Sequence, residues 1–272
     1  MIKPNVKTYS LGLEELAMAL GLINRPDLGR DLLLSIYEKI SEEQVDSRLT
    51  SASHSLLARG FCGVSNSGTP VLRTDFEQAL FPLARFDYVF QMRVVRNDVQ
   101  VNATVHVRKG KAFTSHTTNM GVIHLLEYGD FKQLVPFFLD VLEEFGGKES
   151  ISASQPSGKV TLGLLGRALG LGQKQAEIAD LLKNEEWGNV GAKNLAEDLT
   201  HQIIRATILR VETTNETPIE KVREASKRSI LLLQGKKRSW LFEFPSTADS
   251  AQGTARLVTR EEFAKALTVF VA

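Results

Sequence analysis

Apolar residues recur at every third or fourth position along Leu11 to Leu22, the spacing that lines one face of an α-helix. The same period predicts helices over Asp27 to Ile40, Glu42 to Arg59 and Asp75 to Leu83, with Gly60 stopping the one that starts at Glu42. The period then shortens to two. Asp87 to Val95 is apolar and β-branched, and Val99 to Arg108 alternates strongly. Ala112 to Thr117 follows a Lys109-Gly110-Lys111 turn, Gly121 to Leu126 makes a fourth strand, and Phe131 to Phe145 reads as a closing helix. Gly146 to Gly158 carries glycine, serine and Pro156 with few large apolar side chains, the composition of a linker. Beyond it, Val160 to Leu169, Gln173 to Lys183 and Ala192 to Gln202 have the helical period. Ile203 to Glu212 reads as a strand and Pro218 to Ala225 as a short helix in an insertion. Ser229 to Gln234 and Arg238 to Phe244 form a hairpin around Gly235-Lys236-Lys237. Ala255 to Val258 is the last strand and Arg260 to Val271 the last helix.

The two stretches repeat one another. Leu13 to Leu22 and Leu162 to Leu171 agree at six of ten positions, at an offset of 149. Both end in Gly-Leu, which suits a left-handed C-cap at Gly21 and Gly170. Further on, Phe131 and Phe138 match Phe263 and Phe270 at an offset of 132, so the second copy is 17 residues shorter between these anchors. Thr259 and Glu262 fit a capping box at the start of the second closing helix. The expected fold is therefore α+β. Two duplicated halves, 1–148 and 159–272 about a linker at 149–158, each run helices, antiparallel strands, helix. Neither half has strands enough to cover a large sheet face alone, so the two are expected to join in one pseudo-two-fold body with a central antiparallel sheet.

Composition narrows the function classes. In 272 residues, 33 Lys and Arg balance 32 Asp and Glu, giving a formal charge of +1. A dedicated nucleic-acid binder more often carries a basic surplus. The single cysteine, Cys62, excludes an internal disulfide and a multi-cysteine zinc site. The start, Met1 to Asn5, lacks the apolar stretch of a signal peptide, and no run of 18 apolar residues predicts a membrane span. A cytoplasmic protein with no membrane partner is expected.

Candidate chemistry is sparse. None of His54, His106, His116, His124 and His201 has the helical His-x-x-x-His spacing. His106 and His116 fall on adjacent strands, and with Asp98 they mark the place to look if the protein is an enzyme. A metal there would want a third ligand, and no Asp or Glu lies between Asp98 and Glu127. No cofactor and no tightly bound transition metal are expected. Cys62 follows a helix C-terminus, where the dipole opposes a thiolate, and reads as buried filler. Glycine-rich phosphate motifs and a Gly-x-Ser-x-Gly elbow are absent. Acidic neighbours such as Glu42-Glu43 and Glu261-Glu262 do not face each other on a helix. The basic turns at 108–111 and 236–238 read as solvated. Glu42 to Leu83 has the grammar of a winged helix, but Val45 to Arg59 carries only two arginines and holds Asp46.

Ser51 to Phe61, followed by Val71-Leu72 and Phe76 to Ala84, resembles the EspG family of type VII secretion-associated proteins. Its members carry a similar helix ending in Arg-Gly-Leu and a second ending near a small-residue-Pro pair. Here Phe61 takes the place of the Leu, and the proline falls within Phe81-Pro82-Leu83. The hairpin at Gly235 to Leu241 is similar to a strand turn of that family, and the order of elements resembles the family over the whole chain. The resemblance implies a pseudo-two-fold fold and a non-enzymatic cytosolic chaperone that binds helical PE–PPE pairs before export. A protein partner, a helical secretion substrate under the resemblance, would need an apolar groove. Gln173 to Leu199, with Ile178, Leu181, Leu182, Trp187 and Val190, is the candidate for it. The alternatives are an enzyme with a scattered site near His106 and His116, or a transcription regulator using 42–83.

Overall fold

A computed structural model describes residues 5–96, 99–144, 157–184, 187–212, 227–235, 238–245, 248 and 251–272. The first half opens with strand β1 (Lys7–Gly12), then helices α1 (Leu13–Leu22), α2 (Pro26–Ile36) and α3 (Glu42–Ala58). A small hairpin, β2 (Cys62–Val64) and β3 (Pro70–Leu72), precedes α4 (Thr74–Ala84). Strands β4 (Tyr88–Arg96), β5 (Val99–Arg108), β6 (Ala112–Asn119) and β7 (Ile123–Asp130) follow, then a 3-10 turn and α5 (Leu134–Glu144). The second half runs β8 (Ser157–Thr161), α6 (Leu162–Gly170), α7 (Gln175–Lys183) and α8 (Asn189–Thr200). It ends with β9 (Ile204–Val211), β10 (Lys227–Gln234), β11 (Ser239–Phe244), β12 (Gln252–Leu257) and α9 (Arg260–Val271).

Ten strands form one antiparallel sheet in the order β1-β7-β6-β5-β4-β9-β10-β11-β12-β8. From either edge the order is the same: the opening strand, then the group of four from last to first. The halves meet at β4 and β9, paired from Val89–Val211 to Arg96–Ile204. The fold is thus the expected α+β body with pseudo-two-fold order about a central antiparallel sheet.

Two strands escape the hydrophobic period. Leu11-Gly12 and Val160-Thr161, read as helix starts, are the ends of β1 and β8. Each is an edge strand paired on one side only, β1 with β7 and β8 with β12. Strand character in segments this short and polar comes from long-range pairing, which local spacing cannot report. β8 begins at Ser157, inside the stretch read as linker; 149–156 lie outside the described residues, as does 218–225. Gly21 and Gly170 sit within their helices, and the left-handed residues after them are Asn24 (φ 61°) and Gly172 (φ 62°). Strand β7 runs on to Asp130, so its closing helix starts later than Phe131.

One face of the sheet is covered at its middle. Tyr88, Phe90, Met92 and Val94 of β4, Val105 and Val107 of β5, and Ala206 and Ile208 of β9 form a core under α5 and α9. The repeat-matched Phe138 and Phe270 converge on Phe90, with ring centroids at 5.3 and 5.7 Å. Tyr88 donates its hydroxyl to the Val271 carbonyl (2.9 Å) and Arg210 donates to the Phe270 carbonyl (2.8 Å), so a strand from each half satisfies the C-terminus of α9. The other face is covered only at its ends. Helices α1, α3 and α4 pack on Tyr9, Leu11 and Leu126, and α6 to α8 pack on Leu233, Trp240, Phe242 and Ala255.

Buried carboxylates fasten both bundles. Glu15 accepts from the Gly12 amide (2.8 Å), Ser55 (2.6 Å) and Arg59 (2.5 Å), tying α1 to α3. Asp198 on α8 is 1% exposed and accepts from Arg238 Nε (2.6 Å) and Trp240 Nε1 (2.9 Å), tying α8 to β11. A Cβ on Gly235 would stand 2.3 Å from Asp198 Oδ1, so only glycine lets the carboxylate sit there. Arg238→Ala strands a buried charge, and denaturant titration is expected to show a loss of about 3 kcal/mol. The double variant Asp198→Asn with Arg238→Met should recover most of it.

Candidate functional site

Among the described residues the two bundles cover the two ends of this face, and no helix lies over the strands between them. Strand alternation decides what lines the bare strip. With Phe90 and Met92 turned into the core, Gln91 and Arg93 of β4 face the other way. Register places Gln91 beside Thr104 and Leu209, and Arg93 beside Asn102 and Thr207. Thr104 pairs with His116, and Thr118 lies two residues further along β6. These side chains line an open trough of about 600 Å³. Arg93 donates to the neutral Gln100 side chain (2.6 Å), whose own amide donates to Asn102 (3.0 Å).

A row of histidines rises from the trough under the α4 side. His106 pairs with Thr114 and His116 with Thr104, so these two are a step out of register. The close pair is His116 and His124, which the sequence reading did not put together. Their rings stack, and His116 Nε2 lies 2.8 Å from His124 Nδ1. The loop between β6 and β7 closes this gap, and the offset of eight residues holds no sign of it. Phe86 packs edge-on against His106. Burial, with the His116 charge nearby, pushes His106 down to about 3, and burial with the His124 charge pushes His116 down to about 4. His124 is lowered by burial as well. All three are held as neutral rings. His106 Nδ1 and His124 Nε2 are buried without a hydrogen-bond partner among the described residues. Among those residues no three His, Cys, Asp or Glu side chains gather as a metal site. Asp98 lies outside the described residues.

The other candidates fall elsewhere. Ile178 and Leu182 are fully buried in the α6–α8 core, and Leu181 packs partly buried against it. Trp187 is buried too. Its indole donates to the Lys159 carbonyl (2.7 Å) and lies over Gly158, whose missing side chain makes the room. Val190, on α8, is 70% exposed. Of the five candidates only Val190 is strongly exposed, and Trp187 is packed into the fold. Both arginines of Val45 to Arg59, the stretch read as a recognition helix, are engaged with α1: Arg48 with Glu14 (2.8 Å) and Arg59 with Glu15 (2.5 Å). Cys62 is buried at the start of β2, with its thiol pushed up by burial. Of the trough residues the sequence pointed only to His116; Gln91, Arg93, Asn102, Thr104, Thr118 and Thr207 are ordinary polar positions on alternating strands. The available signal was Gln91 and Arg93, two polar side chains inside an otherwise apolar run.

A ten-stranded sheet with a helical bundle at each end of one face and two closing helices on the other is the EspG-like fold. The solved structure of the Mycobacterium tuberculosis type VII secretion system chaperone EspG5, in complex with a PE25-PPE41 dimer, matches over 96% of this chain and 95% of that one. The TM-score is 0.61 and the identity 11%, a likeness of fold. HtdX of M. tuberculosis aligns over 94% of this chain at 10% identity with a TM-score of 0.15, too low for a shared fold. No family model and no curated protein matches the sequence. No helix among the described residues is long and apolar enough to cross a membrane.

The histidines set a pH dependence with a definite sign. Unfolded, each takes up a proton near pH 6.5; folded, His116 does so only near 4 and His106 near 3. Stability is therefore full above about pH 7 and falls as the pH drops from about 6.5 towards 4. The lowered carboxylates of Glu14 and Glu15 add their loss at more acid pH, below their ordinary value of 4.5. Urea titrations at pH 7.5 and 5 should show His116→Gln reducing the difference between them by about 2 kcal/mol. Trp187→Ala should cost about 3 kcal/mol or more in the same assay, because it empties the space over Gly158.

Proposed function

We propose that this chain is a non-enzymatic cytosolic adaptor that binds a helical protein pair and keeps it soluble before export. The observation that carries the proposal is the EspG-like fold over nearly the whole chain, with a trough of mixed polar and apolar lining on the strands β4, β5, β6 and β9. EspG5 was solved with a PE25-PPE41 dimer, and a comparable client is the partner we propose here. The α7–α8 face beside the trough completes the partner surface in this proposal. Val190 and the partly buried Leu181 would touch the client, while Ile178, Leu182 and Trp187 support them from beneath. We also propose that residues 1–148 and 159–272 arose as copies of one unit joined at 149–158. Matched Phe138 and Phe270 on one Phe90, and the same strand order from either edge, support that origin.

The test is co-expression with a PE–PPE-type pair encoded beside the gene. Size-exclusion chromatography with light scattering should give a soluble 1:1:1 complex from a pair that precipitates alone. Val190→Arg should weaken the complex at least tenfold without changing the melting temperature. A client equally soluble and unbound with the wild-type chain present would end the adaptor reading.

A further inference from the structure

We infer that the two edges of the sheet are surfaces on which a second copy of this chain would pair, and that Arg59 and Trp187 keep them closed. The inference concerns the chain's association with itself and does not rest on the adaptor reading. An open antiparallel sheet ends in two rows of outward backbone groups, each a template for another strand. Here the rows belong to β1 and β8, which are paired on one side only.

The ladder fixes which groups face out. Leu13 N–H donates to the Val122 carbonyl (3.0 Å) and continues the pairing of β1 on β7. Tyr9 and Leu11 therefore turn their backbone groups towards β7, while Thr8, Ser10 and Gly12 turn theirs away from the sheet. Two of those outward groups are taken. Arg59 Nη2 donates to the Ser10 carbonyl (2.5 Å), and the Gly12 amide donates to Glu15 Oε2 (2.8 Å). At the other edge the Trp187 indole donates to the Lys159 carbonyl (2.7 Å).

Ser10 and Lys159 are 149 positions apart, the offset of the Leu13/Leu162 repeat, so the same carbonyl of the repeated strand is covered at both edges. The covers are chemically unlike. One is a guanidinium at the C-terminus of α3, the other an indole just before α8. Two different side chains have reached one repeat position and do the same thing there. Exposed lysines act in the same sense, Lys7 on β1 and Lys159 on β8, since a charge on an edge discourages pairing.

The number of edges explains why both are covered. One open edge pairs with its equivalent on a second copy about a two-fold axis, and growth stops there. With two open edges, copies add on both sides and the array has no end.

The experiment follows the full chain by sedimentation velocity over a range of concentrations. Arg59→Lys keeps a cation for Glu15 and withdraws the fork that reaches Ser10. Trp187→Phe keeps a ring over Gly158 and removes the N–H. Each uncovered carbonyl can accept one bond on each copy, so either single variant should self-associate roughly tenfold or more tightly than the wild type. Each should add one copy and stop, whereas the double variant should give larger species. Proline at an outward position removes an edge donor and leaves the inner ladder intact. Thr8→Pro should therefore reverse the association caused by Arg59→Lys, and Lys159→Pro that caused by Trp187→Phe, with the circular dichroism spectrum unchanged. Sedimentation of the double variant indistinguishable from wild type would overturn the inference. So would a double variant that adds only one copy, or association that survives both prolines, which would assign the contact to another surface. None of these readouts involves a client, so the adaptor reading stands or falls separately.

Discussion

The pairing of β4 with β9 joins the halves through the middle of the sheet, and the other layers take their positions from it. Either strand alone would present an open row of backbone donors and acceptors, a template for unwanted pairing. Joined, they turn two five-stranded groups into one sheet and leave β1 and β8 as its edges. The seam also determines where the closing helices go. Phe90 on β4 meets Phe138 from one and Phe270 from the other, while Tyr88 and Arg210, from the two seam strands, bind the carbonyls at the end of α9. Sheet, helices and symmetry are thus coupled through one cluster of side chains.

The same seam makes the trough. Strand alternation means that burying Phe90, Met92, Ala206 and Ile208 under two helices sends Gln91, Arg93 and Thr207 to the opposite face. Among the described residues no helix covers that face at the centre, because the two bundles are drawn to the ends by their own apolar strips. Tyr9, Leu11 and Leu126 hold one, and Leu233, Trp240 and Phe242 hold the other. The recessed strip mixes these polar side chains with apolar surface from Met92, Ala103 and Leu209. It offers amides, hydroxyls and a cation, while the histidines beside it are kept neutral by burial.

Buried charge then secures each bundle to the strands. Glu15 accepts from Ser55 and Arg59, and Asp198 from Arg238 and Trp240, all far away in sequence. Such pairs fix orientation more than they add stability, since desolvation offsets much of the attraction.

By itself the sequence determined the elements whose signal is local. The helices announce themselves by their apolar period, the inner strands by their alternation, and the internal sequence repeat by Leu13/Leu162 and Phe138/Phe270. Only the tertiary structure decided the rest. β1 and β8 are strands because β7 and β12 lie beside them. His116 meets His124, and not His106, because of the register of β6 on β7. Trp187 is one candidate groove residue in the sequence, and only the structure shows it packed over Gly158. In each case the property belongs to a pair of residues brought together by long-range pairing, and hydrophobic spacing along one chain carries no record of which strand stands next to which.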